Sequence, residues 1–175
     1  MTTWKIDAAH SEIEFKVKHL MITNVTGHFG EYDATLTTSK DDFTDANISF
    51  EANVNSVSTK NTQRDEHLKG EDFFDAANHP KISFQSTEVK KKDADSFVLK
   101  GDLTIRGTTK PVELNVEYAG VTVDPWGQTK AGFELSGKIN RKDFGLTWSA
   151  TTEAGGLVVS DDVRLILAVQ MIKQA

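Results

Sequence analysis

The chain contains no cysteine, which excludes disulfides, thiolate nucleophiles and thiolate metal centres. It also lacks any long apolar run. The strongest, Leu165 to Val169, is far too short to span a bilayer as a helix, and no apolar segment follows a basic N-terminal start. No transmembrane segment is expected, and the expected compartment is the cytoplasm, unless an export segment has been removed. Positive charge is in deficit: 20 Lys and Arg face 26 Asp and Glu, a net charge of −6. Such a chain repels nucleic acid unless its basic residues cluster on one face. The one compact basic run, Lys90 to Lys92, precedes Asp93 and Asp95 and reads as the solvated end of a hairpin. No nucleic-acid partner is expected.

Catalytic and cofactor signatures are missing as well. There is no nucleophile elbow of the GxSxG type, no HExxH, no P-loop and no dinucleotide-binding glycine pattern. Gly27-x-x-Gly30 is better used by a bulged strand than by a phosphate. The five histidines, His10, His19, His28, His67 and His79, form no local metal motif. These absences favour a binding module over an enzyme, with no required cofactor. A hydrolase or isomerase acting on a small apolar substrate is kept as the alternative.

What is present is period-two alternation. Ile13, Phe15 and Val17 share one face while Glu12, Glu14, Lys16 and Lys18 share the other, as a strand with one dry and one wet side requires. The pattern returns in Ile48, Phe50, Ala52 and Val54, and again in Val112, Leu114, Val116 and Tyr118. Further strands are read from about Val25 to Thr37, Lys81 to Glu88, Phe97 to Arg106, Thr129 to Ile139 and Asp162 to Ile172. Short polar or glycine-containing connections, of which Asp124-Pro125-Trp126-Gly127 is the plainest, favour antiparallel hairpins. Apolar parity changes between Phe29 and Tyr32, and again between Phe84 and Val89, so a β-bulge is expected near Gly30 and a second irregularity in the later strand.

Residues 59 to 70 interrupt the pattern. Thr62 and Asp65 resemble a weak helix cap, Leu68 offers one apolar contact, and Gly70 is expected to end the helix with a positive φ. A helix this short needs support; it should lie on the barrel or across a mouth, anchored by Phe73 and Phe74.

The expected fold is therefore all-β, one domain over residues 1–175: an antiparallel eight-stranded barrel with a short helix in the 60–75 region. Closure removes the exposed edges a flat sheet would leave and encloses room for one small ligand. A two-sheet sandwich with a filled interior is the alternative.

Inward rows name the expected ligand-binding side chains. The first strands supply Phe15, Val17 and His19, then Phe29 and Phe50. His19 continues an apolar row, where an imidazole could bond a lipid head group or a quinone oxygen. The middle of the chain supplies Phe73, Phe84, Leu99 and Leu103, and the last strands Phe133, Leu135, Leu165 and Leu167. Gly101 and Gly137 interrupt bulky inward rows and are expected either to leave a tunnel open or to mark curvature and close packing. Arg64 and His67 on the helix, and Arg141 at a strand end, are expected to meet a polar head or to pair with nearby acids. The final strand is apolar on both sides, through Val163, Leu165, Leu167, Val169 and Met171 on one and Ile166, Ala168 and Ile172 on the other. Its outer side calls for a cover, by the helix segment, a loop or another subunit; a homodimer is expected, and a dimer with a packed core is a third functional alternative.

Several ordered motifs resemble those of the YceI-like family, the lipocalin-like polyisoprenoid-binding proteins. They are Asp7, His10, Ser11 and Phe15 in the opening segment, Gly27 and Phe29, then Thr62, Arg64, His67 and Leu68, and Phe73, Phe74, Asp75 and Pro80. Gly101-Asp-Leu-Thr-Ile-Arg-Gly107 and Ile139-Asn-Arg-Lys-Asp-Phe-Gly145 complete the series. The resemblance implies an extended lipocalin-type barrel, often dimeric, holding a long isoprenoid lipid or isoprenoid quinone in an apolar tunnel, and in some members a link to stress responses. Many members are exported; this sequence shows no recognisable export segment.

Overall fold

The computed structural model describes residues 1–149 and 158–175. Alternation becomes eleven strand segments: β1 (Thr2–Ile6), β2 (Glu12–His19), β3 (Thr23–Phe29), β4 (Tyr32–Thr38), β5 (Asn47–Asn53), β6 (Val57–Ser58), β7 (Lys81–Lys91), β8 (Ser96–Ile105), β9 (Thr108–Val123), β10 (Thr129–Asn140) and β11 (Asp162–Lys173). Among the described residues one α-helix, α1, spans Thr62–Lys69. Three pairs of segments continue one another across short interruptions: β1 into β2, β3 into β4, and β5 into β6. The result is eight long antiparallel strands in up-and-down order. The ring closes where β11 pairs with β1, Trp4 opposite Lys173, and with β2, Phe15 opposite Leu165. This is a barrel and not a sandwich, because the last strand completes the hydrogen bonding of the first.

The break near Gly30 falls where the parity changed. Gly30 N–H donates to the Ser56 carbonyl at 3.2 Å, and Asn53 N–H donates to the Glu31 carbonyl at 2.9 Å. Two facing strands thus break together, so Phe29 and Leu36 can both point inward. The second irregularity is a register shift between Ser86 and Glu88 in the pairing of β7 with β8. A third, between Gly132 and Phe133, had no counterpart in the pattern. The strand Thr2–Ile6 was likewise not anticipated; its short alternation is legible only beside Leu36 and Ile172.

The helix differs from expectation at both ends. Its cap is Asn61, whose side chain accepts the Arg64 N–H at 3.0 Å; Asp65 instead accepts Thr59 N–H and Oγ1–H at 2.7 and 2.6 Å. Gly70 ends the helix with φ −80°, an extended backbone, rather than a positive φ. Phe73 and Phe74 are buried just beyond it, as anchors.

The barrel has two unlike ends. At one, the β4–β5 loop folds inward and drives Phe43 between Trp4, Tyr118 and Phe133, with centroid separations of 5.6, 5.6 and 5.4 Å. Phe43 holds φ +61°, a costly conformation for a bulky side chain, which three aromatic contacts and near-complete burial offset. Asp45 fixes the loop by accepting hydrogen bonds from Thr38, Ser39 Oγ–H and Ser39 N–H. The opposite end carries α1, the β2–β3 and β8–β9 turns, the end of β10 and the start of β11.

The outer face of β11 does not carry the helix, whose contacts are with β6. Ile166 and Ala168 are flanked in register by Glu14 and Ser136, and by Glu12 and Glu134. The apolar stripe is therefore one residue wide. Among the described residues no helix is long and apolar enough to cross a membrane.

Candidate functional site

The barrel interior is not filled. It encloses a cavity of about 430 Å³, within the usual range for small-ligand sites, roughly 300 to 1,000 Å³. Alternation puts every second side chain of each strand against it. Phe15, Val17, Phe29 and Phe50 line one side, and Phe133, Leu135, Leu165 and Leu167 the other. Phe84, Leu99 and Leu103 complete the wall, with Phe73 from the segment after α1. Phe50, Leu135, Leu165 and Leu167 point inward and yet are only half-buried, because what they face is open lumen. A packed core is thus excluded as the state of this interior.

Polar lining is confined almost entirely to one end. Lys18, His19, Thr59, Arg64 and His67 reach the cavity at the helix-bearing mouth, while Ile6, Phe43, Ala46 and Met171 form the floor. Arg64 donates through Nε to Thr59 Oγ1 and through Nη2 to the Thr59 carbonyl, both at 2.8 Å. That leaves Nη1 directed to neither. His67 Nε2 lies 2.9 Å from Asp72 Oδ2, and its ring meets those of Phe73 and Trp148 edge to face at 5.0 Å each. These contacts fix the imidazole at the rim. His19 ends β2 beside Val159, with which it forms an isolated bridge.

Three expectations are corrected here. Arg141 touches the cavity but is no receptor for a head group. It is 4% exposed, and its guanidinium donates to the carbonyls of Ser160, Leu146 and Trp148 at 2.9, 2.7 and 2.7 Å. Asp161 lies 3.5 Å away. Burial pushes its pKa down while Asp161 pushes it up, with burial the larger effect. The side chain is a clamp that closes the loop after β10, neither a surface salt bridge nor an anion site.

Gly101 and Gly137 do not open a tunnel. A β-carbon on Gly101 would lie 2.3 Å from Phe84 Cζ and 2.6 Å from the Gln85 carbonyl, and one on Gly137 would lie 2.5 Å from Leu114 Cδ2. Each glycine seats a neighbour's side chain, so the volume it frees is already used. Close packing wins over tunnel at both positions.

Among the contributors missed are Phe43 in the floor, Lys18 and Thr59 at the rim, and Trp148 beside His67. Phe43 had a signal, being the lone aromatic in the polar stretch 38–47. Trp148 lies outside any alternating run and had none. Among the described residues no three His, Asp or Glu side chains gather as a metal site.

A closed antiparallel barrel with a carbon-walled lumen, a plugged floor and a polar rim defines the lipocalin-like barrel proteins as the structural class. A YceI-like domain model matches residues 4–171, and the chain belongs to that family. It is 39% identical over 168 residues to a UPF0312 protein of Pectobacterium atrosepticum, covering 96% of this chain and 84% of that one. The YceI protein of Campylobacter jejuni superposes with a TM-score of 0.77 at 34% identity, over 90% of each chain. BcnA of Burkholderia cenocepacia shares the fold, with a TM-score of 0.82 at 20% identity over 94% of this chain and 98% of that one. So does a polyisoprenoid binding domain from Saccharophagus degradans, at 0.66 and 15% over 98% of each.

Proposed function

We propose that the protein binds a long-chain isoprenoid lipid or isoprenoid quinone noncovalently, to sequester or carry it. The observation that carries this reading is the separation of chemistry along one cavity. The walls and floor are apolar, and the polar side chains Lys18, His19, Thr59, Arg64 and His67 stand at one mouth. A molecule with a long hydrocarbon tail and one small polar head matches that gradient. Each fully buried methylene contributes about 0.8 kcal/mol before the costs of binding, so affinity rises with tail length until the lumen is full. The fold shared with the Saccharophagus degradans domain, described as polyisoprenoid binding, supports the ligand class.

The reading makes the protein a carrier and not a catalyst. It is tested by extracting the purified protein and identifying lipids by mass spectrometry, then titrating prenyl analogues of increasing length and assaying turnover of prenyl esters and phosphates. A stoichiometric prenyl lipid, or uptake that strengthens with length and leaves the ligand intact, is expected. Recovery of no lipid together with no uptake overturns the proposal, and turnover replaces it with the enzyme reading. Self-association through the outer face of β11 is a separate proposal. Ile166→Lys should convert a homodimer into a folded monomer in sedimentation, and an unchanged mass overturns that interface.

A further inference from the structure

At the mouth end, β2 and β3 are joined by three residues, Leu20, Met21 and Ile22, and Ile22 N–H closes a β-turn by donating to the His19 carbonyl at 3.2 Å. Its central residues, Leu20 and Met21, hold φ +54° and +61°. That is the turn geometry for which Asn-Gly is the favoured pair. Leu and Met serve neither the backbone, which disfavours them there, nor solubility, since Met21 is 54% and Ile22 78% exposed. The tip is nevertheless held in place, because Leu20 N–H donates to the Val158 carbonyl at 2.9 Å. Val158 and His19 both line the cavity mouth, so the apolar tip stands at the entrance.

Behind the tip lies a row of cations. Lys138 stands opposite Arg164, and Arg164 opposite Lys16, in one register across β10, β11 and β2. Like charges directly opposite one another in a sheet are unfavourable. Among the described residues only Lys138 has an acidic partner, Asp162 at 3.7 Å; Lys16, Lys18 and Arg164 have none within ion-pair distance. At about 3.4 Å per residue, Lys18 sits about 7 Å behind Leu20 and Lys16 about 14 Å behind it. A tip at the boundary of the hydrocarbon would therefore put Lys18 among lipid head groups and the cationic row within about a Debye length of them, ~8–10 Å.

We propose that the Leu20-Met21-Ile22 tip and the Lys16, Lys18, Lys138 and Arg164 patch dock the barrel mouth-first on an anionic bilayer surface. The docking rests on the surface alone; its use in exchanging a lipid rests on the carrier reading above. The charge complementarity selects a membrane over a second copy of this chain, since a twofold contact at the tip would set the cationic row against itself. The basic patch occupies the β10, β11 and β2 side of the mouth, while the α1 side of the same end carries the exposed acids Glu66, Glu71 and Asp72, so the field tilts the barrel onto the tip and turns the α1 side away from anionic lipid. The other exposed apolar tip, with Trp126 83% exposed, is at the floor end, and its nearby Lys130 is held by Asp7 and Asp124 at 3.0 and 3.6 Å.

The test is flotation with vesicles of phosphatidylcholine and phosphatidylglycerol, against phosphatidylcholine alone. Wild type should float with the anionic vesicles and be released by salt. Leu20→Asn with Met21→Gly gives the turn the residues its backbone prefers, so folding is kept while binding should fall at least tenfold. Lys16→Gln with Arg164→Gln should lose the preference for phosphatidylglycerol, and Trp126→Asp should bind as wild type does. No flotation of wild type, unchanged flotation of the Leu20/Met21 variant, or loss in Trp126→Asp each overturns the proposal. A Leu167→Trp protein, whose narrowed lumen no longer takes up long prenyl chains, should still float, which separates this surface from the cavity.

Discussion

The ring of Phe15 sits over Gly27, its cross-strand partner, so closely that a β-carbon there would lie 2.2 Å from Cζ. Glycine is required because the ring occupies the place of a side chain. Gly27→Ala must push the Phe15 ring toward the lumen, whereas Gly101→Ala meets both Phe84 and the Gln85 carbonyl, which cannot swing aside. Overpacking costs typically about 1–3 kcal/mol. The Gly101 variant should fall at the upper end of that range and the Gly27 variant at the lower, by denaturant titration. Equal losses would show that the backbone at Gln85 yields.

Filling the lumen should shorten the ligand the protein accepts. Leu167 lines the cavity and is only half-buried, so Leu167→Trp adds volume where there is room for it. Long prenyl analogues should lose affinity while a short one is spared. Equal loss at every length would place the tail elsewhere.

Arg141 holds its loop by donating to four backbone carbonyls, those of Ser160, Leu146, Trp148 and Val159. Lysine cannot reach them all, and buried acceptors left unpaired cost about 1–3 kcal/mol each. Arg141→Lys should destabilise by about 3 kcal/mol, or ~6–12 °C in Tm for a chain of this size. Its effect on prenyl alcohols and prenyl diphosphates should be the same. A selective loss of diphosphate binding would restore the head-group role rejected above.

The floor should be acid-sensitive. Hydrogen bonds from the Ser39 and Thr38 hydroxyls hold the Asp45 carboxyl far below the ordinary carboxylate range, against a weaker opposing effect of desolvation. A depressed folded pKa contributes stability at any pH above the unfolded value, about 4, and loses it as pH falls through the folded value. Wild type should therefore weaken at the Phe43 plug in strong acid. Asp45→Asn, lacking that carboxylate, should show a flatter acid limb, read from the near-ultraviolet circular dichroism of Trp4 packed on Phe43. Identical acid limbs would mean the loop does not depend on this group.

Much of the site was legible in one dimension. A period of two assigns each strand residue to a face whatever its neighbours are, so Phe15, Leu99, Leu135 and Leu167 could be placed inward before any pairing was known, and the parity change near Gly30 marked the break. Whether an inward position borders free space depends on which side chain lies across from it. That is set by register between strands far apart in sequence: Phe84 covers Gly101, Leu114 covers Gly137, and Phe15 covers Gly27. The same holds for Arg141, whose partners lie up to 19 residues away in irregular chain, and for Trp148 against His67. Alternation is a local property of the pleated backbone and is written in the sequence. Occupancy of volume and satisfaction of buried donors are pairwise properties of distant residues, and only the closed barrel decides them.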